Sequence, residues 1–95
     1  MDESGVIRRG FRVTGRVQGV GFRWWTQRAA RGLGVGGTVR NLPDGAVEVQ
    51  AVGAAQAVSR LEEALHSGPA GSRVARVEEV PASPSVAGDE FVIAR

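Results

Sequence analysis

The order in which two hydrophobic periods alternate along this chain is the strongest constraint on its fold. Phe11 and Val13 alternate with Arg12 and Thr14, a period of two that predicts a strand over about residues 7–15. Phe22, Trp25, Ala29 and Leu33 then share one helical stripe, which predicts a helix over about 22–32, punctuated by Gly32 and Gly34. A short strand follows over about 37–41. Pro43-Asp44-Gly45 is a turn signal, because proline pre-sets φ and glycine accepts a left-handed conformation. Over 46–52, Val47, Val49 and Ala51 point inward and Glu48 and Gln50 outward, so these two strands make a hairpin. Ala57, Val58, Leu61, Ala64 and Leu65 mark a second helix over about 54–66, stopped by Gly68-Pro69. A strand over 73–80, a loop over 81–88 and a short terminal strand over 91–93 complete the chain. The order β-α-β-β-α-β predicts an α+β sandwich of the ferredoxin-like kind, an antiparallel sheet with two helices on one face. That fold hosts many activities, so function has to come from a site.

The chain has 95 residues, enough for one domain, with residues 1–6 expected to form a loose N-terminal tail. It has no cysteine, which removes disulfides, thiolate metal sites and cysteine nucleophiles. His66 is its one histidine, so no zinc-type cluster is expected and no cofactor is implied. Tyrosine is absent, and with it any phenolic acid. The acidic start Met1-Asp2-Glu3 does not resemble a signal peptide, and no apolar run is long enough to span a bilayer. A cytoplasmic monomer without a membrane partner is the expectation. All twelve basic residues are arginine, and they are unevenly placed: residues 1–41 carry a net charge of +6 and residues 42–95 a net charge of −4. The positive half suits an anionic substrate, although arginines are commonly just solvated surface.

The stretch Val13-Thr-Gly-Arg-Val-Gln-Gly-Val-Gly-Phe-Arg23 runs from the first strand into the first helix. Its glycines let the backbone approach a ligand closely, and successive N–H groups in such a turn converge on an anion. The helix start adds unpaired N–H groups and the positive end of its dipole. It is not a Walker loop, since the chain contains no lysine. Arg23 falls in the first helical turn, where a cation opposes the dipole by roughly 0.3–1 kcal/mol. Either it tolerates that place on the surface, or an anion sits between the two. Asn41, just before the turn, reads on chemistry alone as a turn residue bonding nearby backbone. Its amide can also donate and accept, and so orient a water.

Residues 13–23 resemble the first signature of the acylphosphatase family: aliphatic, any, Gly, any, Val-Gln-Gly-Val, any, Phe, Arg. Gly37-Thr-Val-Arg-Asn41, with Gly45, Val47 and Gly53, resembles the second at the same spacing, and Gly68-Pro69 and Phe91-Val-Ile are similar to the family's second half. The resemblance spans about residues 7–95. It implies the ferredoxin-like sandwich and metal-free hydrolysis of small-molecule acyl phosphates, with inorganic phosphate as product. It implies that Arg23 grips the phosphoryl group and that the loop amides of Arg16, Val17, Gln18, Gly19, Val20 and Gly21 share that load. It implies that Asn41 places the attacking water. Acetyl phosphate, carbamoyl phosphate, bisphosphoglycerate and aspartyl phosphates on proteins are the substrates it suggests. Thr38 departs from the pattern, which has an aromatic residue there; less apolar area is expected to be buried around it.

Two other functions have to be set against this. A single-stranded RNA-binding module shares the element order, but needs aromatics on its third strand. Here that strand is Ala46-Val-Glu-Val-Gln-Ala-Val52, so no nucleic-acid partner is expected. A non-catalytic anion-binding domain would need the cradle but not an oriented water. His66, at the end of a helix, and the pairs Glu62-Glu63 and Glu78-Glu79 read as surface groups, since neighbouring residues do not face the same way. Trp25 is expected in the core and Trp24 at its margin.

Overall fold

The computed structural model describes residues 5–84, 86 and 88–94. Seven elements follow one another: β1 (Val6–Arg16), α1 (Phe22–Leu33), β2 (Gly36–Asn41), β3 (Val47–Ala54), α2 (Ala55–Ser67), β4 (Arg73–Val80) and β5 (Phe91–Ile93). The sheet order is β4-β1-β3-β2-β5. β1 runs antiparallel to both β3 and β4, and β2–β3 is the expected hairpin. The expected all-antiparallel sheet is corrected at one edge: β5 pairs parallel with β2, Gly37 opposite Phe91 and Val39 opposite Ile93, so the sheet is mixed. The loop after β4 is long enough to bring the chain back to the far side, where β5 enters in the direction of β2. Of the expected N-terminal tail, residues 1–4 lie outside the described residues, and Val6 already belongs to β1.

The period of two explains which sheet face is dry. Phe11 and Val13 of β1 lie opposite Val49 and Val47 of β3. With Val39 and Ala51 they form one cluster with Phe22 and Ala30 of α1 and Val58, Leu61 and Leu65 of α2. Truncating a buried leucine in such a core costs about 2–5 kcal/mol, so Leu61 and Leu65 are where the fold is most easily broken. α1 is stopped by Gly34, whose left-handed conformation (φ 73°) lets its N–H meet the carbonyls at the helix end.

Gln50 was expected outward, and it does lie on the face away from the helices. It is nevertheless only 5% exposed. The chain after β4 folds across that face: Gln50 Nε2 donates to Pro81 O at 3.4 Å, and Ser83 N donates to Gln50 Oε1 at 2.8 Å. Thr38, one residue from the inward Val39, belongs to this same face and lines a groove with Arg40, Gln50, Pro81 and Val86. Trp25 packs against the core with its ring 5.5 Å from that of Phe22. Trp24 is corrected: it is 57% exposed rather than at the core margin, because Phe22, Thr26 and Ala30 form the buried stripe of α1. No helix among the described residues is long and apolar enough to cross a membrane.

Candidate active site

At Thr14/Gly15 the pairing of β1 with β4 shifts register. Gly15 has φ 122°, and a Cβ there would lie 2.2 Å from Arg73 O, so only glycine fits this bulge. The bulge ends β1 at Arg16, which still pairs with Arg73; the loop proper therefore starts at Val17. Val17 is buried and anchors the loop. Gly19 and Gly21 both take the left-handed conformation, with φ of 77° and 76°, and a Cβ on either would meet nothing within 4 Å. Backbone conformation rather than crowding requires them, and the space beside them is left open.

Gly21 is also the N-cap of α1, and its only intrahelical service is as acceptor: Trp25 N donates to Gly21 O at 3.0 Å. No side chain caps this end, and its first turn has no acidic residue. The first N–H groups of α1 thus keep their capacity for an anion. Gln18 does something the motif did not reveal. Its Nε2 donates to Leu42 O and to Ala46 O, both at 2.9 Å, and so staples the loop to the β2–β3 turn. In that turn Asp44 Oδ1 accepts from Ala46 N at 3.0 Å, and Asp44 also pairs with Arg12. These bonds, the backbone one first, hold the Asp44 carboxyl below its ordinary pKa.

A pocket of about 200 Å³ opens where these parts meet, lined by Val17, Gly19, Gly21, Phe22, Arg23, Trp24, Asn41 and Ile93. The structure thus brings together Arg23, Asn41 and three of the six expected loop residues. Arg16, Gln18 and Val20 are not in its wall: Arg16 belongs to the strand end, Gln18 to the staple, and Val20 packs partly against the core. Asn41 shares the helix-facing side of β2 with Val39 and ends the strand. Its Oδ1 is buried and has no hydrogen-bond partner, the one such side-chain atom among the described residues. Leaving a buried acceptor unpaired costs about 1–3 kcal/mol. Arg23 likewise makes no ion pair or side-chain hydrogen bond among the described residues, whereas Arg9, Arg12, Arg40 and Arg76 all pair with acids. A cradle of free N–H groups, an unpaired guanidinium and an unpaired amide oxygen can together hold a tetrahedral anion and a water.

The other titratable candidates are engaged elsewhere or alone on the surface. Glu62 and Glu79 both bind Arg9, at 2.9 and 2.8 Å, and Glu78 faces Arg12 and Arg76. His66 is exposed in the last turn of α2. No group of three or more His, Asp or Glu able to hold a metal ion occurs among the described residues. Sequence reasoning missed Gln18 as a staple and Trp24 and Ile93 as pocket wall. No local signal marks Trp24, because the buried stripe of α1 passes through positions 22, 26 and 30, and Thr26 is not apolar.

Comparison with known proteins shows the family. A family model described as Acylphosphatase matches residues 9–93. The chain is 51% identical over 90 residues to an acylphosphatase of Salinibacter ruber, covering 94% of this chain and 92% of that one. It is 54% identical over 72 residues to an acylphosphatase of Thermococcus kodakarensis, covering 76% and 79%. Among solved structures, an acylphosphatase from Coxiella burnetii superposes with a TM-score of 0.86 at 31% identity, covering 99% of this chain and 98% of that one. The acylphosphatase from Bacillus subtilis gives 0.81 at 34% identity, covering 95% and 99%.

Proposed function

The chain belongs to the acylphosphatase family, and on that premise we propose how its own residues hydrolyse the carboxyl–phosphate bond of acyl phosphates to carboxylate and inorganic phosphate. The observation that carries the assignment is the pairing of two unsatisfied polar groups in one pocket, the Arg23 guanidinium and the buried Oδ1 of Asn41.

Arg23 offers a planar fork to two phosphoryl oxygens, and the loop amides and the start of α1 take up the rest of the charge. Asn41 Oδ1 accepts a hydrogen bond from the attacking water and aims its lone pair at phosphorus. As the water oxygen bonds to phosphorus, the bond from phosphorus to the carboxyl oxygen breaks, and its electron pair leaves with the carboxylate. The conjugate acid of that leaving group has a pKa of about 4, so it departs unprotonated and no general acid is needed. An amide cannot serve as a base at neutral pH. A phosphoryl oxygen of the substrate takes the water's proton, which ends on the phosphate product. Catalysis is then positioning and electrostatics, supplied by groups of the chain without a metal ion. The pocket wall supports this, since no carboxylate or imidazole among the described residues lines it. The same reading takes the working unit to be a cytoplasmic monomer acting on small molecules, without nucleic-acid or membrane partners. That β3 offers no aromatic platform supports the absence of a nucleic-acid partner.

Acetyl phosphate hydrolysis in excess EDTA is the direct test. Turnover that survives EDTA and is lost in Arg23→Gln and in Asn41→Ala is the expected result. Turnover that requires added metal sinks the metal-free route. Folded protein that binds phosphate but turns nothing over makes this an anion-binding domain.

A further inference from the structure

The pocket wall holds two unlike sets of residues. Arg23, the loop and Asn41 address the phosphoryl group, which every acyl phosphate shares. The wall also holds Trp24 and Ile93. Trp24 is 57% exposed and Ile93 38%, so neither is used up in packing the core. Both are nevertheless held. Trp24 follows Arg23 in the first turn of α1, and the Arg28 guanidinium one turn later lies over its ring, 4.7 Å from the centroid. Ile93 lies opposite Val39 in the sheet, the next residue's N–H donates to Val39 O at 2.8 Å, and Gln27 of α1 donates to Phe91 O at 3.1 Å. The helix carrying Trp24 and the strand carrying Ile93 are thereby pinned together beside the site.

We propose that Trp24 and Ile93 form the subsite for the acyl group, and that this protein favours acyl phosphates with an aryl or branched apolar tail over those with a small one. The proposal rests on the acylphosphatase reading. With the phosphoryl group fixed and water attacking in line, the carboxylate must leave on the side opposite the water, and its substituent then extends out of the cradle. A flat apolar substituent that reaches the indole gains both buried area and ring stacking. A methyl group reaches little of it.

The test is kcat/KM for benzoyl phosphate and for acetyl phosphate in the wild type, Trp24→Ala, Trp24→Phe and Val6→Ala. The ratio of the two substrates in one preparation cancels any loss of folded protein, and comparing ratios between variants cancels the intrinsic reactivity of each anhydride. Trp24→Ala should lower the benzoyl-to-acetyl ratio about tenfold, the effect of losing a stacked aromatic contact and its burial. Trp24→Phe should recover most of it. Val6, 58% exposed at the other end of β1, should leave the ratio unchanged on truncation. A ratio that stays the same in Trp24→Ala overturns the subsite while leaving the acylphosphatase reading intact. Failure of the wild type on both substrates overturns that reading, and the subsite with it.

Discussion

The charged strip along β1 and the pocket beyond its end use the same guanidinium chemistry in opposite ways. In the strip, Arg9 Nε and Nη2 bind Glu79 at 2.9 and 2.8 Å, Nη2 also meets Glu62 at 2.9 Å, and the cation lies over the Phe11 ring. Arg12 pairs with Asp44 and Glu78. Both arginines are held more firmly protonated than usual, first by their hydrogen bonds to Glu79 and Asp44. In the pocket, Arg23 has no such partner among the described residues, and Asn41 Oδ1 is buried with none. Polar groups satisfied within the chain hold the fold, and polar groups left unsatisfied wait for a ligand. Changes in the two regions should therefore separate stability from activity.

The largest effect should come from Arg23. Arg23→Gln should lower kcat/KM by roughly a thousandfold, the low end of what removing a transition-state arginine costs, and Arg23→Lys should also lose heavily, because a point charge replaces a fork. Thermal melting should show no loss of stability, since a cation leaves the first turn of α1. Asn41→Ala should come next, with kcat down about a hundredfold, phosphate affinity little changed and a melting midpoint at or above wild type. A clear drop in that midpoint would break the comparison, for it would mean that Asn41 holds the fold.

Gln18 should straddle the two regions. Gln18→Ala removes both bonds of the staple, and should lower kcat roughly tenfold by loosening Asn41 against the loop, while costing about 1–2 kcal/mol in urea unfolding. Smallest are the acids of the strip. The Asp44 and Glu79 carboxyls are held below their ordinary pKa, Asp44 first by the Ala46 N–H and Glu79 first by Arg9. A depressed folded-state pKa contributes stability that is complete above the unfolded value and is lost as pH falls through the folded one. Stability should thus decline below about pH 4, and Asp44→Asn with Glu79→Gln should flatten that decline. Intact acid sensitivity in the double variant would assign it to other carboxylates.

Much of the fold could be read from periodicity because one sheet face is uniformly dry: Val47, Val49 and Ala51 repeat every second residue and all face the helices. Gln50 was misjudged because alternation takes the second face to be open water, whereas the segment at Pro81 and Ser83 covers it. The direction of β5 was not legible either, since three residues carry no register signal and a parallel edge pairing depends on where the preceding loop returns. For the site, motif spacing was enough to single out Arg23 and Asn41, but not their condition. Whether a carbonyl oxygen is buried without a donor depends on what packs around the end of β2, which no local pattern records. The same holds for Trp24, an apolar residue whose exposure is decided by the rotation of α1 on the sheet.

One further consequence lies in the strand order. β1 is made first, but both of its sheet neighbours, β3 and β4, come later in the chain. While the rest of the polypeptide is still being synthesised, β1 presents two bare edges, the usual template for sticking to another copy. Arg9 and Arg12 then lack their acidic partners, and Arg8 lacks Val86 O, to which it donates in the finished fold. Stacked on a sister strand they would set like charges side by side, and so act as gatekeepers against premature association. The residues that stitch the finished sheet together are thus expected to protect its first strand beforehand. Replacing all three with glutamine should lower refolding yield more steeply at high protein concentration than at low.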